Sequence, residues 1–207
     1  MDLLFGSVNL TKQGFLREIL RDLPVRFVTP QDLGIGLRIV EDGHTAEENA
    51  RKKAVGYCRA SGLPTFSMDS GLYIDKFPPD RQPGLQVRRA PRTDGDVSDD
   101  ELLEFFVREL EAVGGSSGAI WVDAIAVALD EDRVGSRTFE RRTLFMSRPS
   151  NVRLPHAPLS SLQVDMRTGR YISELTFGER MGMQAEETRQ WREFIWEQLI
   201  ELQRKSP

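Results

Sequence analysis

DLLFGSVNLTKQGFLREILRDL, residues 2–23, sets the direction of the whole reading. An apolar run at 2–6 predicts a short first strand. Ser7 to Thr11 is a polar loop, and Thr11 then caps a helix over residues 12–23 with Phe15, Ile19 and Leu20 on one face. The chain therefore opens strand, loop, helix, the unit from which α/β folds are built.

Outward from this unit, VRFV at 25–28 predicts a second strand, followed to Gly43 by loop with one short strand at about 37–40. Thr45 with Glu48 fits a capping box. The helix it starts carries Ala50, Ala54, Tyr57 and Cys58 on one face and stops at Gly62 and Pro64. PTFSMDSGLYID predicts a strand at 65–68, a break at Asp69-Ser70-Gly71 and a strand again at 72–74. Residues 76–97 have four prolines and no periodicity, which predicts a long loop. Ser98 caps an amphipathic helix ending at Gly114. Ala119–Leu129 reads as a central strand and 134–147 as a further strand pair. Residues 148–180 are irregular, with short strands at 161–165 and 171–173, and the last helix places Trp191, Ile195, Leu199 and Leu202 on one face. With no internal repeat or linker signal, residues 1–207 read as a single unit.

Composition bounds the function. The 207 residues, 39% hydrophobic and 29% charged, suit a folded domain that buries roughly 70% of its unfolded surface. One cysteine, Cys58, rules out an internal disulfide framework and a cysteine zinc site, and suits a reducing compartment. No stretch approaches a membrane span and no leader pattern opens the sequence, so a cytoplasmic protein is expected. The net charge of -4 argues against a nucleic-acid partner and demands a locally basic pocket for any small anionic substrate. The arginines between 88 and 153 are interspersed with acids and read as a solvated surface, with polynucleotide binding as the rival reading.

Three segments carry candidate chemistry. Ser7, Asn9 and Lys12 lie where a strand gives way to a helix, and free backbone NH groups with a lysine favour an anion. On these residues alone, a polar turn whose Thr11 merely caps a helix is the plainer reading. Asn49 and Lys53 share a helical face with Glu48 beside them, which presents a carboxylate and an ammonium to one region; a capping glutamate and a solvated lysine are the plain alternative. Asp69 at a strand break can bind Mg²⁺ or accept a proton from water, with Gly71 allowing a close ligand, or else it is a turn aspartate. His44 and His156 are isolated and read as surface or core residues.

The motifs S-x-N-x-x-K at 7–12, E-D-G-x-T-x-E-E-N-A-x-x-K-A at 41–54, G-L-P at 62–64, D-S-G-L-x-x-D at 69–75 and P-G-L at 83–85 resemble the inosine triphosphate pyrophosphatase family. The resemblance is dense over roughly the first ninety residues. It implies an α/β fold with a long mixed sheet flanked by helices, two lobes with a central cleft, and a homodimer. The implied reaction is Mg²⁺-dependent hydrolysis of a non-standard purine nucleoside triphosphate to monophosphate and pyrophosphate. Carried over by position, Ser7, Asn9 and Lys12 fall on the triphosphate loop, Glu48 on a metal-binding glutamate and Lys53 on a phosphate-binding lysine. Asp69 falls on the aspartate that binds metal and activates water, with Ser70 beside it and Arg89 on the arginine after the P-G motif as substrate contacts.

The departures are as specific as the matches. Met68 stands where the family has a second acid. F-G-Y-D-P becomes Leu154-Pro155-His156-Ala157-Pro158, G-K-x-x-x-E-L becomes Gly169-Arg170-Tyr171-Ile172-Ser173-Glu174-Leu175, and S-H-R becomes Gln184-Ala185-Glu186. Arg170 keeps a charge for phosphate as a planar fork. The phosphate half is retained and the base-reading half is changed, which implies altered base specificity. The rivals are a pyrophosphatase for modified pyrimidine nucleotides and a nucleotide-binding regulatory module with impaired catalysis.

Overall fold

The computed structural model describes residues 1–91 and 95–204, and of residues 10, 11, 202 and 203 the backbone alone. The chain forms two compact units. Met1–Ser70, Asp123–Phe139 and the C-terminal stretch from Glu186 make one, and Gly71–Val122 with Glu140–Ala185 make the other. Strand pairing runs in the order β2-β1-β3-β4-β5-β6. The expected mixed sheet with flanking helices is what the chain adopts.

In the first unit, β1 (Asp2–Phe5) pairs in parallel with β2 (Arg26–Val28) on one side and with β3 (Thr65–Ile74) on the other. The helix α1 (Leu10–Ile19) connects β1 to β2, and α2 (Ala46–Ser61) connects β2 to β3. One crossover moves leftward from β1 and the other returns rightward past it. Right-handed connections therefore place α1 and α2 on opposite faces. The order reverses between β1 and β3, and in open α/β sheets a ligand crevice opens at the carboxyl ends of the strands at such a reversal. Here β1 stops at Phe5, opposite Phe66, while β3 continues to Ile74. Residues 67–70 thus project beyond β1, beside the loop that leads into α1.

Packing fixes this arrangement. Phe5, Phe27 and Phe66 form an aromatic group at centroid distances of 4.9–6.1 Å, and Leu4, Val28 and Tyr57 pack with Ile35, Ile39 and Leu63. The last helix, α5 (Ala185–Arg204), docks through buried Trp191, Phe194, Ile195 and Leu199. Trp191 stands edge-on to Phe15 at 6.4 Å, so it packs the unit as its periodicity predicts. Leu202, the last member of that stripe, has its side chain outside the described residues.

The second unit holds its own core, in which Leu72, Ile74, Phe106, Leu110, Ala119, Phe145 and Leu162 are all at most 1% exposed. Its helix α3 (Asp99–Ala112) starts at Ser98 with a full capping box to Glu101. A short helix α4 (Phe177–Met183), capped by Thr176, was not expected from the sequence.

Several boundaries differ from the sequence reading. Asn9, not Thr11, caps α1, because its side-chain oxygen accepts the Lys12 amide at 3.0 Å, and the helix begins earlier and ends at Ile19. Residues 37–40 form no strand. β3 runs unbroken through Asp69-Ser70-Gly71, since Ser70 lies across from Asp123 in β4 (Ser116–Ala128) and the pairing holds the chain extended. Residues 134–146 are one strand, β5 (Val134–Met146), rather than a pair. The stretch 76–97, apart from residues 92–94 outside the described residues, contains two single 3₁₀ turns. β6 (Gln163–Val164), last in the strand order, is a two-residue strand, and 172–174 is a 3₁₀ turn. Among the described residues no helix is long and apolar enough to cross a membrane.

Candidate active site

The helix α2 carries the decisive residues because its buried face is not wholly apolar. Ala46, Asn49, Ala50, Lys53, Ala54, Tyr57 and Cys58 are buried along it, so an amide and an ammonium interrupt a stripe that periodicity reserves for apolar side chains. A lysine is almost never buried unless paired. Lys53 donates to Asp69 Oδ1 at 2.9 Å and to Glu41 Oε2 at 3.2 Å. Asn49 donates to Asp69 Oδ2 at 3.1 Å, and its own Oδ1 accepts the Gly43 amide at 2.8 Å. Both oxygens of Asp69 are thereby oriented, and Asp69 is 7% exposed. A Cβ on Gly43 would lie 2.6 Å from Asn49 Oδ1, so glycine is required for the loop to approach this closely.

Alternation along β3 explains the rest. Ser67 donates to the Ala50 carbonyl at 2.8 Å, so the odd residues face α2, and Asp69 is on that side. Ser70 faces the other way and donates to Asp123 Oδ1 at 2.7 Å. Asp123 is 4% exposed, set in a strand whose following residues, Ala124 to Ala128, are fully buried.

Lys12 completes the cluster from the start of α1. Burial pushes its ammonium below the ordinary lysine value, the Lys53 charge adds to this, and Asp69, Asp123 and Glu41 oppose it. Lys53, Asp69, Asp123 and Glu41 are the charges that bear on the Lys12 ammonium. The loop before it is tied down by Gln13, a buried residue whose Nε2 donates to the Ser7 carbonyl at 2.7 Å and to Gln31 Oε1 at 2.9 Å. Asn9 donates its amide to Ser7 Oγ at 3.3 Å.

The lowered affinity of Lys12 for its proton has a measurable consequence. Above its pKa the group is neutral and no longer attracts phosphate, so KM for a triphosphate is expected to rise on the alkaline side, beginning below the ordinary value of 10.5. Lys12→Arg, which stays charged, should flatten that limb. A KM that stays constant to the ordinary lysine range in the unsubstituted protein would show that the Lys12 proton affinity is not lowered.

The structure thus brings Lys53 and Asp69 into contact, with Lys12 feeling the charge of both, Ser70 on the opposite face of β3 against Asp123, and Ser7 and Asn9 in the loop before α1. Glu48 is placed differently. Thr45 Oγ1 accepts the Glu48 amide at 3.1 Å as a capping box requires, but the Glu48 carboxylate accepts the His44 amide at 2.7 Å rather than that of Thr45. Glu48 is exposed, and Glu41 rather than Glu48 shares Lys53 with Asp69. Arg89 and Arg170 belong to the second unit. Arg89 donates to Asp96 at 3.0 Å, and Arg170 donates to Glu179 at 2.7 Å and to the Glu174 carbonyl at 2.8 Å. In the second unit, too, Asp99 accepts the His156 amide at 3.1 Å, and His156 has a left-handed φ of 60°.

Sequence reasoning missed Glu41, Gln13 and Asp123 as members of the site. The usable signal for Asp123 was an acid inside an apolar strand. For Gln13 it was an amide on the buried face of α1, and for Glu41 it was its place at the head of the E-D-G-x-T-x-E-E-N-A-x-x-K-A motif.

Similarity to known proteins is concentrated in the same part of the chain. The family model for the Ham1 family matches residues 3–143. A dITP/XTP pyrophosphatase of Anaeromyxobacter dehalogenans is 53% identical over 76 residues, 36% of this chain and 32% of that protein. One of Xanthomonas campestris is 37% identical over 112 residues, 53% of this chain and 54% of that protein. The chain therefore spans about a third to half the length of these curated relatives. A HAM1 protein from Coxiella burnetii superposes with a TM-score of 0.77 at 22% identity, covering 95% of this chain and 99% of that one, a likeness of fold. With the family model matching well over half of its residues, the chain belongs to the Ham1 family.

Proposed function

We propose that this chain hydrolyses a nucleoside triphosphate between its α and β phosphates, releasing monophosphate and pyrophosphate. The observation that carries the reading is the convergence of Lys12, Lys53 and Asp69 at the strand reversal between β1 and β3. The names of the relatives, dITP/XTP pyrophosphatase, support a substrate with a deaminated base.

A triphosphate carries nearly four negative charges, and cleavage at the α phosphorus shifts further charge onto pyrophosphate. A lysine about 4 Å from a phosphate oxygen contributes roughly 4 kcal/mol at an effective dielectric near 20, before desolvation. Lys12 and Lys53 supply that attraction, with Ser7, Asn9 and the backbone of their loop orienting the tail. Asp69, held by Lys53 and Asn49, accepts a proton from the attacking water. The new bond joins water oxygen to phosphorus, and the electron pair of the broken bond leaves with pyrophosphate.

The donor set fits a magnesium ion completed by substrate. Among the described residues no group of three or more His, Cys, Asp or Glu could hold a metal alone. However, Mg²⁺ in phosphoryl chemistry needs only one or two carboxylates plus phosphate oxygens. Each Asp69 oxygen accepts one hydrogen bond, from Lys53 or from Asn49, and retains a lone pair. Glu41 is beside it through Lys53, while Glu48 keeps Oε1 as a further donor. When bound, the ion supplies positive charge to the phosphates.

In this reading Ser70, Arg89 and Arg170 are further substrate contacts, and the chain works as a cytoplasmic homodimer on free nucleotides. Ala157 and the Gln184-Ala185-Glu186 triplet replace the base-reading residues of the family, so base preference is altered or relaxed. Pyrophosphate release measured across standard, deaminated, oxidised and modified pyrimidine triphosphates tests this. Turnover of several bases at similar kcat/KM is expected. A strong preference for an inosine nucleotide would reject altered specificity, and tight binding without release would point to a regulatory module.

A further inference from the structure

We propose that Gln13, steadied by Gln31, is a positioning residue for the polyphosphate tail. It fixes the peptide plane between Ser7 and Val8 so that the loop before α1 turns an N–H, and not a carbonyl, toward the anion. The inference rests on the function proposed above and extends it to two residues outside the reacting charges.

Gln13 is an amide on the buried face of α1 and is 7% exposed. A buried amide costs free energy unless its hydrogen bonds are made. Gln13 makes two through Nε2, to the Ser7 carbonyl at 2.7 Å and to Gln31 Oε1 at 2.9 Å. Gln31 is in turn held by the tight turn that follows β2. Asp32 Oδ2 accepts the Thr29 amide at 2.9 Å and the Thr29 hydroxyl at 2.8 Å, and Gly34, with a left-handed φ of 66°, donates its amide to the Gln31 carbonyl. Gln31 Nε2 also lies 3.5 Å from the Val8 carbonyl. The loop after β1 and the turn after β2 are thus joined by side-chain amides, at the carboxyl edge of two neighbouring parallel strands.

In a trans peptide the carbonyl and the following N–H point in opposite directions. With the Ser7 carbonyl turned inward to Gln13, the Val8 N–H faces the other way, on a residue that is 57% exposed. The next amide, that of Asn9, donates to Ser7 Oγ at 3.3 Å, a bond that leaves the Ser7 hydroxyl proton as a donor. The outward side of the loop therefore offers N–H and O–H groups, the polarity that an anion needs. If the plane between Ser7 and Val8 turned over, its dipole of roughly 3.5 D would reverse and a carbonyl oxygen would meet the phosphate. Ser7 and Val8 belong to no helix or strand, so no backbone ladder opposes that rotation. The Gln13 amide does.

The test compares the unsubstituted protein with Gln13→Met and Gln31→Met. Binding of inorganic tripolyphosphate is measured by calorimetry in Mg²⁺ buffer, and kcat and KM are measured for a nucleoside triphosphate. Methionine keeps the length of the side chain and removes the amide. Gln13→Met is expected to lose at least about tenfold in tripolyphosphate affinity, the worth of one hydrogen bond to a charged group, and KM should rise to match. Lys53 and Asp69 stay in place and the tail is gripped alike before and during cleavage, so kcat should fall by less than about threefold. Gln31→Met, at an exposed position, should lose about threefold in affinity, because Gln13 keeps Ser7 but is itself less fixed. Unchanged tripolyphosphate affinity in Gln13→Met overturns the inference. So does a kcat that falls as far as the affinity, which would make Gln13 a general packing residue. If urea unfolding shows that Gln13→Met is not folded, Gln31→Met decides by the same two measures. Unsubstituted protein that neither binds tripolyphosphate nor releases pyrophosphate overturns the proposed function, and the inference with it.

Discussion

Asp69→Asn is expected to reduce turnover by at least about a hundredfold, the usual loss when a general base is removed, with the fold retained. The geometry makes the substitution informative beyond catalysis. Asp69 accepts from Lys53 at one oxygen and from Asn49 at the other. An asparagine offers a single oxygen, so keeping the Lys53 contact turns its amide group toward Asn49 Nδ2, donor against donor. Asn49 has no easy escape by rotation, since its Oδ1 is engaged by the Gly43 amide. A stability loss of about 1–3 kcal/mol accompanies the change, the cost of one unsatisfied buried group. Urea unfolding and steady-state kinetics on the same sample separate the two effects. A folded variant with near-normal kcat would remove Asp69 from the reaction.

Lys53→Met should be the most damaging substitution in the first unit, because it acts on stability and on substrate together. The methionine fills the space of the lysine stem but leaves Asp69 buried without the ammonium it faces at 2.9 Å. Breaking one partner of a buried pair costs about 3–5 kcal/mol. The Glu41 contact adds little, since that carboxylate is about half exposed and solvent screens it. KM for a triphosphate should rise at least about tenfold through loss of the phosphate contact, and kcat should fall because the water-activating carboxylate is no longer held. Lys53→Arg restores charge and should recover stability more than turnover, as a planar fork does not reproduce the point contact. A Lys53→Met protein with unchanged unfolding midpoint and unchanged KM would exclude both roles.

The two results separate the roles proposed for two charges in the first unit. In that proposal Asp69 acts on the reacting water, and Lys53 on the phosphate and on Asp69. Only the first should move kcat alone.

The local signals were in the sequence where a short-range rule governs. Apolar runs bounded by Gly and Pro gave β1, β2 and α2, and Ser98 with Glu101 gave the start of α3, because capping and periodicity are properties of neighbouring residues. The rule failed at Asp69-Ser70-Gly71, where a turn-like composition is held straight by pairing across to Asp123. It failed again at Thr11, where two cap residues compete and Asn9 prevails through its bond to the Lys12 amide.

What the sequence determined by itself was therefore the list of elements, the family resemblance and the identity of Lys12, Lys53 and Asp69 as a set worth joining. The tertiary structure alone decided how their charges are balanced. Glu41 reaches Lys53 from a stretch with no periodicity, Gln13 fastens the loop of Ser7, and Asp123 arrives from a strand 53 residues beyond Ser70. Spacing along a chain reports which side chains share a helix or strand face. The electric field at a site depends on distances in space, and these are set by crossovers and strand pairing that no local pattern encodes.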